Sequence, residues 1–219
     1  MSLAPQFQHR NLPQHVADHI VLLIAAGELT PGERVFEKDI CERLNVSRIP
    51  VREAFRLLQA QGVIRGEPNR GSFVTELGSE QIAEMMEVRI VVERIAGRHV
   101  IRRSKGDPAI LDAVRRCMDA LHRAIRNNDR LEYCQADLAF HSTIIELADS
   151  PILQPIWESL SRGILVYLMQ ERRLEESYDR SISDHERLIA LLATGDSKGY
   201  EAEIGRHVMA PAHFEAAPL

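Results

Sequence analysis

The chain has 219 residues, 45% of them hydrophobic and 27% charged, which is enough apolar material to fill real cores in one large or two small domains and enough charge to wet their surfaces. No run approaches the roughly 20 apolar residues of a membrane span, and Met1 to Arg10 has no apolar leader core, so a cytoplasmic globular protein with no membrane partner is expected. The net charge of −5 is uneven: residues 1–74 carry nine Lys/Arg against eight Asp/Glu, while the remainder carries 18 against 24, so only the first part is electrostatically fit for a polyanion.

Val16, Ile20, Leu23 and Ile24 recur at helical spacing, and Gly27 follows where a left-handed helix end favours glycine. Leu29 to Gly32 is turn chemistry, after which Glu37 to Leu44 predicts a short second helix without a good side-chain cap at Phe36. Asn45 suits a left-handed turn, Ser47 is a predicted N-cap, and Pro50 fits the first turn of a third helix whose buried stripe is Val51, Ala54, Phe55 and Leu58. Val63 to Val74, broken by Pro68-Asn69-Arg70-Gly71, reads as a β-hairpin. Everything after Leu77 is helical in period: about Ser79 to Arg103, a helix after Pro108, one after Asp129, and others around Trp157 to Glu175, Ile182 to Thr194 and Asp196 to about Val208. Ser183 with Glu186 reads as a capping box, Gly195 as a helix end and Asp196 as the next cap. The expected fold is mainly α, with a winged helix-turn-helix over residues 1–76 and an all-α antiparallel helical bundle over 77–219. Cys41, Cys117 and Cys134 are odd in number and set in apolar helical patterns, which suits reduced packing residues.

Helix, helix, tight turn, helix, hairpin is the order of a DNA-reading head. Arg48 and Arg52 lie four apart near the start of the third helix and share a face, while Val51 and Phe55 point inward. An arginine there can bond two acceptors of guanine in the major groove, and the helix start favours phosphate. Arg34, and Arg70 with Gly71 at the hairpin tip, are placed to reach the flanking backbone or the minor groove. Two arginines at this spacing are by themselves most often a solvated basic face. The whole run is more specific. Gly27-Glu28-Leu29-Thr30-Pro31-Gly32-Glu33-Arg34, Val46-Ser47-Arg48-Ile49-Pro50-Val51-Arg52-Glu53-Ala54 and Arg70-Gly71-Ser72-Phe73-Val74 together resemble the GntR family of regulators over about Val16 to Val74. The resemblance implies DNA-contacting roles for Arg34, Arg48, Arg52 and Gly71, and Ser47 and Arg70 beside them complete the expected DNA-binding set. Phe36, where a polar cap is common, and Ile49, where a polar neighbour is frequent, depart from the pattern.

In the second part, polar residues sit on apolar stripes. Leu131, Cys134, Leu138, His141 and Ile145 run at spacings of three and four, with Asp137 one turn before His141. His185 lies between Ile182 and Ile189, and His207 beside Ile204 and Val208, in the same way. A single histidine on such a stripe is ordinarily a hydrogen-bonded core residue, and Asp137 alone is satisfied by an arginine. Together, a carboxylate and three imidazoles suit a borderline divalent ion, such as zinc or nickel, and leave one or two positions open for water or a ligand oxygen. His9, His15, His19, His99, His122 and His213 show no such grouping. The spacing resembles the FCD ligand-binding domain of the FadR-like GntR subfamily over about Gln81 to His207, which implies that Asp137, His141, His185 and His207 hold the ion and that the ion helps bind a carboxylate effector. Arg89 with Glu93 matches an Arg-x-x-x-Glu element of that domain; it reads either as an intrahelical ion pair or as a guanidinium aimed at the effector. Asp149-Ser150-Pro151 stands where an asparagine is frequent.

These readings converge on a homodimeric transcription regulator, of repressor type, that reads a palindromic double-stranded operator under control of a small carboxylate effector. A metal-dependent hydrolase or isomerase using the Asp/His cluster is the alternative, disfavoured because no general base stands out beside the cluster and an enzyme has no use for the head. A closed structural metal site is a third, and such sites favour cysteine.

Overall fold

The computed structural model describes residues 12–170 and 178–209. The expectations for Met1 to Arg10, for the end of the helix predicted to run to Glu175, and for His9 and His213 lie outside the described residues. The chain divides into two compact units, Met1–Glu76 and Leu77–Leu219.

In the first unit, α1 (Leu12–Ala25) packs on α3 (Arg48–Ala60), with α2 (Glu37–Leu44) against α3. Ile20, Val51 and Leu58 are completely buried, each such side chain contributing about 1.5–3 kcal/mol by leaving water. Phe36 caps α2 without a side-chain bond, and Asn45 closes it at φ 52°. Ser47 has the extended N-cap backbone, but its hydroxyl makes no cap bond to α3. The predicted hairpin is β2 (Ile64–Glu67) with β3 (Gly71–Val74), and the turn between them passes through Asn69 at φ 60°. A third strand, β1 (Arg34–Val35), adds to β3 and gives an antiparallel sheet of order β1-β3-β2, with Arg34 opposite Phe73 and Glu67 opposite Gly71. Two residues are too short to show alternation, so the sequence pattern does not reveal β1.

The second unit is helical throughout the described residues: α4 (Ser79–Ser104), a 3-10 turn (Pro108–Ile110), α5 (Leu111–Asn127), α6 (Arg130–Leu147), α7 (Leu153–Gln170), α8 (Tyr178–Thr194) and α9 (Ser197–Met209). Helix α4 touches α6, α7, α8 and α9, so polar groups on its inner face meet those of several neighbours. Carboxylate caps punctuate the bundle: Asp107 accepts from the Ala109 amide, Asp129 from Glu132 and Asp196 from Gly199. The capping box expected at Ser183 does not form. Ser183 lies within α8 and its hydroxyl donates to the Asp179 carbonyl at 3.1 Å. The apolar period begins at Ile182 and hides the polar first turn, which the buried Tyr178 anchors. No described helix is long and apolar enough to cross a membrane.

Candidate metal centre and DNA-reading head

On the head, Arg48 opens α3 and is exposed, beside Ile49, which is 70% exposed. Arg52 lies on the same exposed face, where its Nε donates to Glu37 Oε2 at 2.9 Å; a pair this open is screened by solvent and exchanges readily for another anion. Arg34 and Gly71 come together through the β1–β3 pairing. The Arg34 guanidinium stacks over Phe36 at 4.7 Å, and a Cβ on Gly71, at φ 105°, would stand 2.9 Å from Arg34 Nε. Arg70 pairs with Glu67 at 2.6 Å, and Arg65 pairs with the same carboxylate. Both lie over the Phe73 ring, at 5.8 and 5.2 Å. Arg65 is a wing cation that sequence reasoning did not single out, since nothing in its local pattern distinguishes it from a solvated strand residue.

In the helical unit, Asp137 and His141 project from α6, His185 from α8 and His207 from α9. Their ligand atoms all lie within 4.8 Å of one another, and all four residues are buried. The donors are carried inward by apolar neighbours: Phe140 is fully buried and meets His185 edge-on at 4.5 Å. Each imidazole turns Nδ1 outward to another group. His141 Nδ1 donates to Glu93 Oε2 at 2.5 Å, His185 Nδ1 to the Ser181 carbonyl at 2.7 Å, and His207 Nδ1 faces Asp184 at 3.8 Å. Asp184 is held in turn by Arg206 at 2.7 Å.

Those outer partners fix the proton on Nδ1 and leave Nε2 as a lone pair. His141 Nε2 and His207 Nε2 then face each other at 3.2 Å, and His185 Nε2 stands 3.2 Å from Asp137 Oδ1 without a hydrogen bond. Buried acceptor facing acceptor is costly, and a cation among them converts the repulsion into coordination. The protonation states agree. Burial lowers His141, with Glu93 opposing, and burial together with the neighbouring His185 lowers His207 to about 4. Burial alone would raise Asp137, but the Arg89 guanidinium, 4.0 Å away, opposes it and favours the ionised carboxylate. Neutral imidazoles and an ionised carboxylate are the metal-binding forms, so the group can hold a divalent ion.

Arg89 and Glu93 stand one turn apart on the inner face of α4. Arg89 Nε donates to Glu93 Oε1 at 2.7 Å, with both residues buried. The guanidinium is not thereby exhausted: its Nη2 is buried without a hydrogen-bond partner among the described residues, 4.0 Å from Asp137 Oδ2. The roles of Glu93 and Asp184 toward the histidines went unread in the sequence because the contacts join helices far apart in the chain.

A winged helix-turn-helix head joined to a helical unit with a buried Asp/His centre defines a DNA-binding regulator. Residues 12–74 match "Bacterial regulatory proteins, gntR family" and residues 84–210 match "FCD domain". The chain belongs to the GntR family of transcriptional regulators, in its FCD-containing group, and is a DNA-binding transcriptional regulator rather than an enzyme. It is 30% identical to the "Gluconate operon transcriptional repressor" of Bacillus subtilis (strain 168), over 83% of this chain and 75% of that one. It is 29% identical to the "Probable D-xylose utilization operon transcriptional repressor" of Paenarthrobacter nicotinovorans, over 89% and 84%. Among solved structures, a transcriptional regulator GntR from Rhodococcus sp. RHA1 superposes with a TM-score of 0.75 at 27% identity, covering 94% of this chain and 99% of that one. E. coli McbR/YncC shares the fold with a TM-score of 0.75 at 22% identity, covering 92% and 95%.

Proposed function

We propose that the protein is an effector-controlled repressor acting in the cytoplasm as a homodimer on a palindromic operator. Arg48 and Arg52 read base edges from α3, with Ser47 on the adjoining phosphate, while Arg34, Arg70 and Gly71 engage the flanking backbone or minor groove. Asp137, His141, His185 and His207 hold a divalent ion, zinc or nickel, which when bound supplies a Lewis-acid position for an effector oxygen. Arg89 binds the carboxylate of a small organic acid. The observation that carries this reading is the buried Arg89 Nη2, which has no hydrogen-bond partner among the described residues and only a long 4.0 Å ion pair to Asp137 of the ligand group, because a buried donor without a hydrogen bond is stabilised when an anion arrives. The relative named as a gluconate operon repressor supports a sugar acid as effector. Effector and operator are coupled to the extent that the effector binds the DNA-free state more tightly than the DNA-bound one.

The test is a thermal-shift screen of small carboxylic acids with and without a chelator. A shift that requires the metal is expected, and a full shift in chelated protein would refute the coupling of ion to effector.

A further inference from the structure

The small sheet of the head has two unlike faces. Ser72 lies opposite both Val35 and Gly66, and Val74 opposite Ile64, so these residues share one face. Val35, Ile64 and Val74 are buried there, and Gln59 of α3 donates to the Ser72 hydroxyl at 3.2 Å. The other face carries Phe73, with Arg34 opposite it on β1 and Arg65 opposite it on β2, and then Glu67 opposite Gly71. Both of those arginines are exposed. Arg34 reaches over Gly71, where a Cβ would come within 2.9 Å of its Nε. Arg70 folds back from the turn, so that it and Arg65 lie over the Phe73 ring at 5.8 and 5.2 Å, and both pair with Glu67. Among the described residues of this face, three guanidiniums meet one carboxylate.

A guanidinium resting on an aromatic ring keeps its fork of N–H donors directed outward. The Arg65 and Arg70 side chains are 46% and 72% exposed, so a polyanion can reach them, and ion pairs this open exchange readily. A carboxylate and a phosphodiester each present two oxygens that share one negative charge, so Glu67 occupies the place a phosphate would take between the two guanidiniums.

We propose that Arg65 and Arg70, held on Phe73, form a clamp for a DNA backbone phosphate on the outer face of the wing, and that Glu67 is the resident anion which the phosphate displaces. This rests on DNA binding by the head and is independent of the ion and the effector. Arg65 adds a phosphate contact from β2, outside both α3 and the hairpin tip. Glu67 competes for the same donors and so weakens the grip on duplex DNA of any sequence.

Backbone contacts are independent of sequence, so the probe is a fluorescein-labelled duplex of mixed sequence. Its affinity for the full-length protein is read by anisotropy across a salt series, for wild type, Arg65→Ala, Arg65→Lys, Glu67→Gln and the pair Arg48→Ala with Arg52→Ala. Arg65→Ala is expected to weaken binding and to make the slope of log affinity against log salt shallower by about 0.9, the value of one phosphate. Arg65→Lys is expected to keep the wild-type slope. Glu67→Gln is expected to bind roughly two- to tenfold more tightly. Wild-type affinity in Arg65→Ala, or a loss of affinity with no change in slope, overturns the clamp. Glu67→Gln that binds no more tightly than wild type overturns the displacement. Should Arg65→Ala fail to fold by circular dichroism, the Lys and Gln variants decide by the same criteria. Loss of binding in the Arg48 and Arg52 variant, with Arg65→Ala and Glu67→Gln both as wild type, overturns the clamp and leaves the α3 reading standing. A wild-type protein that does not bind the duplex overturns DNA binding by the head and this inference with it.

Discussion

Glu93 is the residue on which the candidate ion site and the Arg89 donor both lean, so Glu93→Gln is an informative perturbation. The carboxylate is fully buried and accepts from Arg89 Nε at 2.7 Å and His141 Nδ1 at 2.5 Å. Glutamine keeps the shape and removes the charge, leaving a buried guanidinium whose nearest remaining anion is Asp137 at 4.0 Å. Breaking one side of a buried ion pair costs about 3–5 kcal/mol. A second route gives a similar size. Burial would raise the Glu93 carboxyl, but His141 and Arg89 hold it at about 2 against an ordinary 4.5, which corresponds to about 3 kcal/mol. At about 2–4 °C per kcal/mol for a chain of this length, the metal-free variant is expected to melt roughly 6–20 °C below wild type. Because the folded-state value is depressed, this contribution is fully present above pH 4.5 and lost as pH falls toward 2, so the gap between the proteins narrows over that window. With His141 deprived of its charged outer partner, metal affinity is expected to fall about 10–100-fold. Thermal unfolding across pH, with metal competition against a chromophoric chelator, reads both quantities. A Glu93→Gln protein that melts within about 2 °C of wild type and holds zinc as tightly would refute the reasoning.

Replacing Arg48 and Arg52 together with alanine should abolish specific operator binding while the oligomer persists, and any residual binding should show a salt slope shallower by roughly 1–2; unchanged affinity at matched salt removes α3 from the interface. Gly71→Ala, at φ 105° with its new Cβ 2.9 Å from Arg34 Nε, should cost about 1–3 kcal/mol of backbone strain and weaken operator binding by displacing Arg34. Circular dichroism melts and electrophoretic mobility shifts separate those two effects. His185→Ala should lower the metal content of purified protein by elemental analysis, and equal content in variant and wild type would take His185 out of the ligand set. Ile49 is 70% exposed beside Arg48 and suits a thymine methyl, so Ile49→Thr should change the ranking of operator variants in a selection experiment more than it changes the melting temperature.

The head was legible where periodicity and turn chemistry act locally. The stripe Val51, Ala54, Phe55 and Leu58, the left-handed Asn45 and the turn before Gly71 need only near neighbours to be read, and the structure has each in place. Strand β1 was not legible, because its order comes from pairing with β3 rather than from its own two residues. In the helical unit, the three-and-four spacing put Asp137 and His141 on one buried stripe, and the fold brings His185 and His207 to them. What spacing could not say is which way each ring is turned. That depends on Glu93 for His141 and Asp184 for His207, contacts made across helices. The Arg89–Glu93 spacing left two readings open, ion pair or effector donor. The structure shows the ion pair, with Nε bonded to Glu93, and leaves Nη2 without a hydrogen bond among the described residues.

The same geometry agrees with a regulator rather than an enzyme. Hydrolysis or isomerisation at an Asp/His centre needs a general base whose affinity for protons lies near the working pH. The carboxylates around this cluster are the wrong kind. Glu93 is held at about 2, against the pull of burial, by His141 and Arg89; Asp184 is held at about 2 in the same way by His207 and Arg206. Each is occupied with orienting an imidazole, and a base that weak takes no proton near neutrality. The carboxylates that orient the imidazoles therefore supply no general base near neutrality.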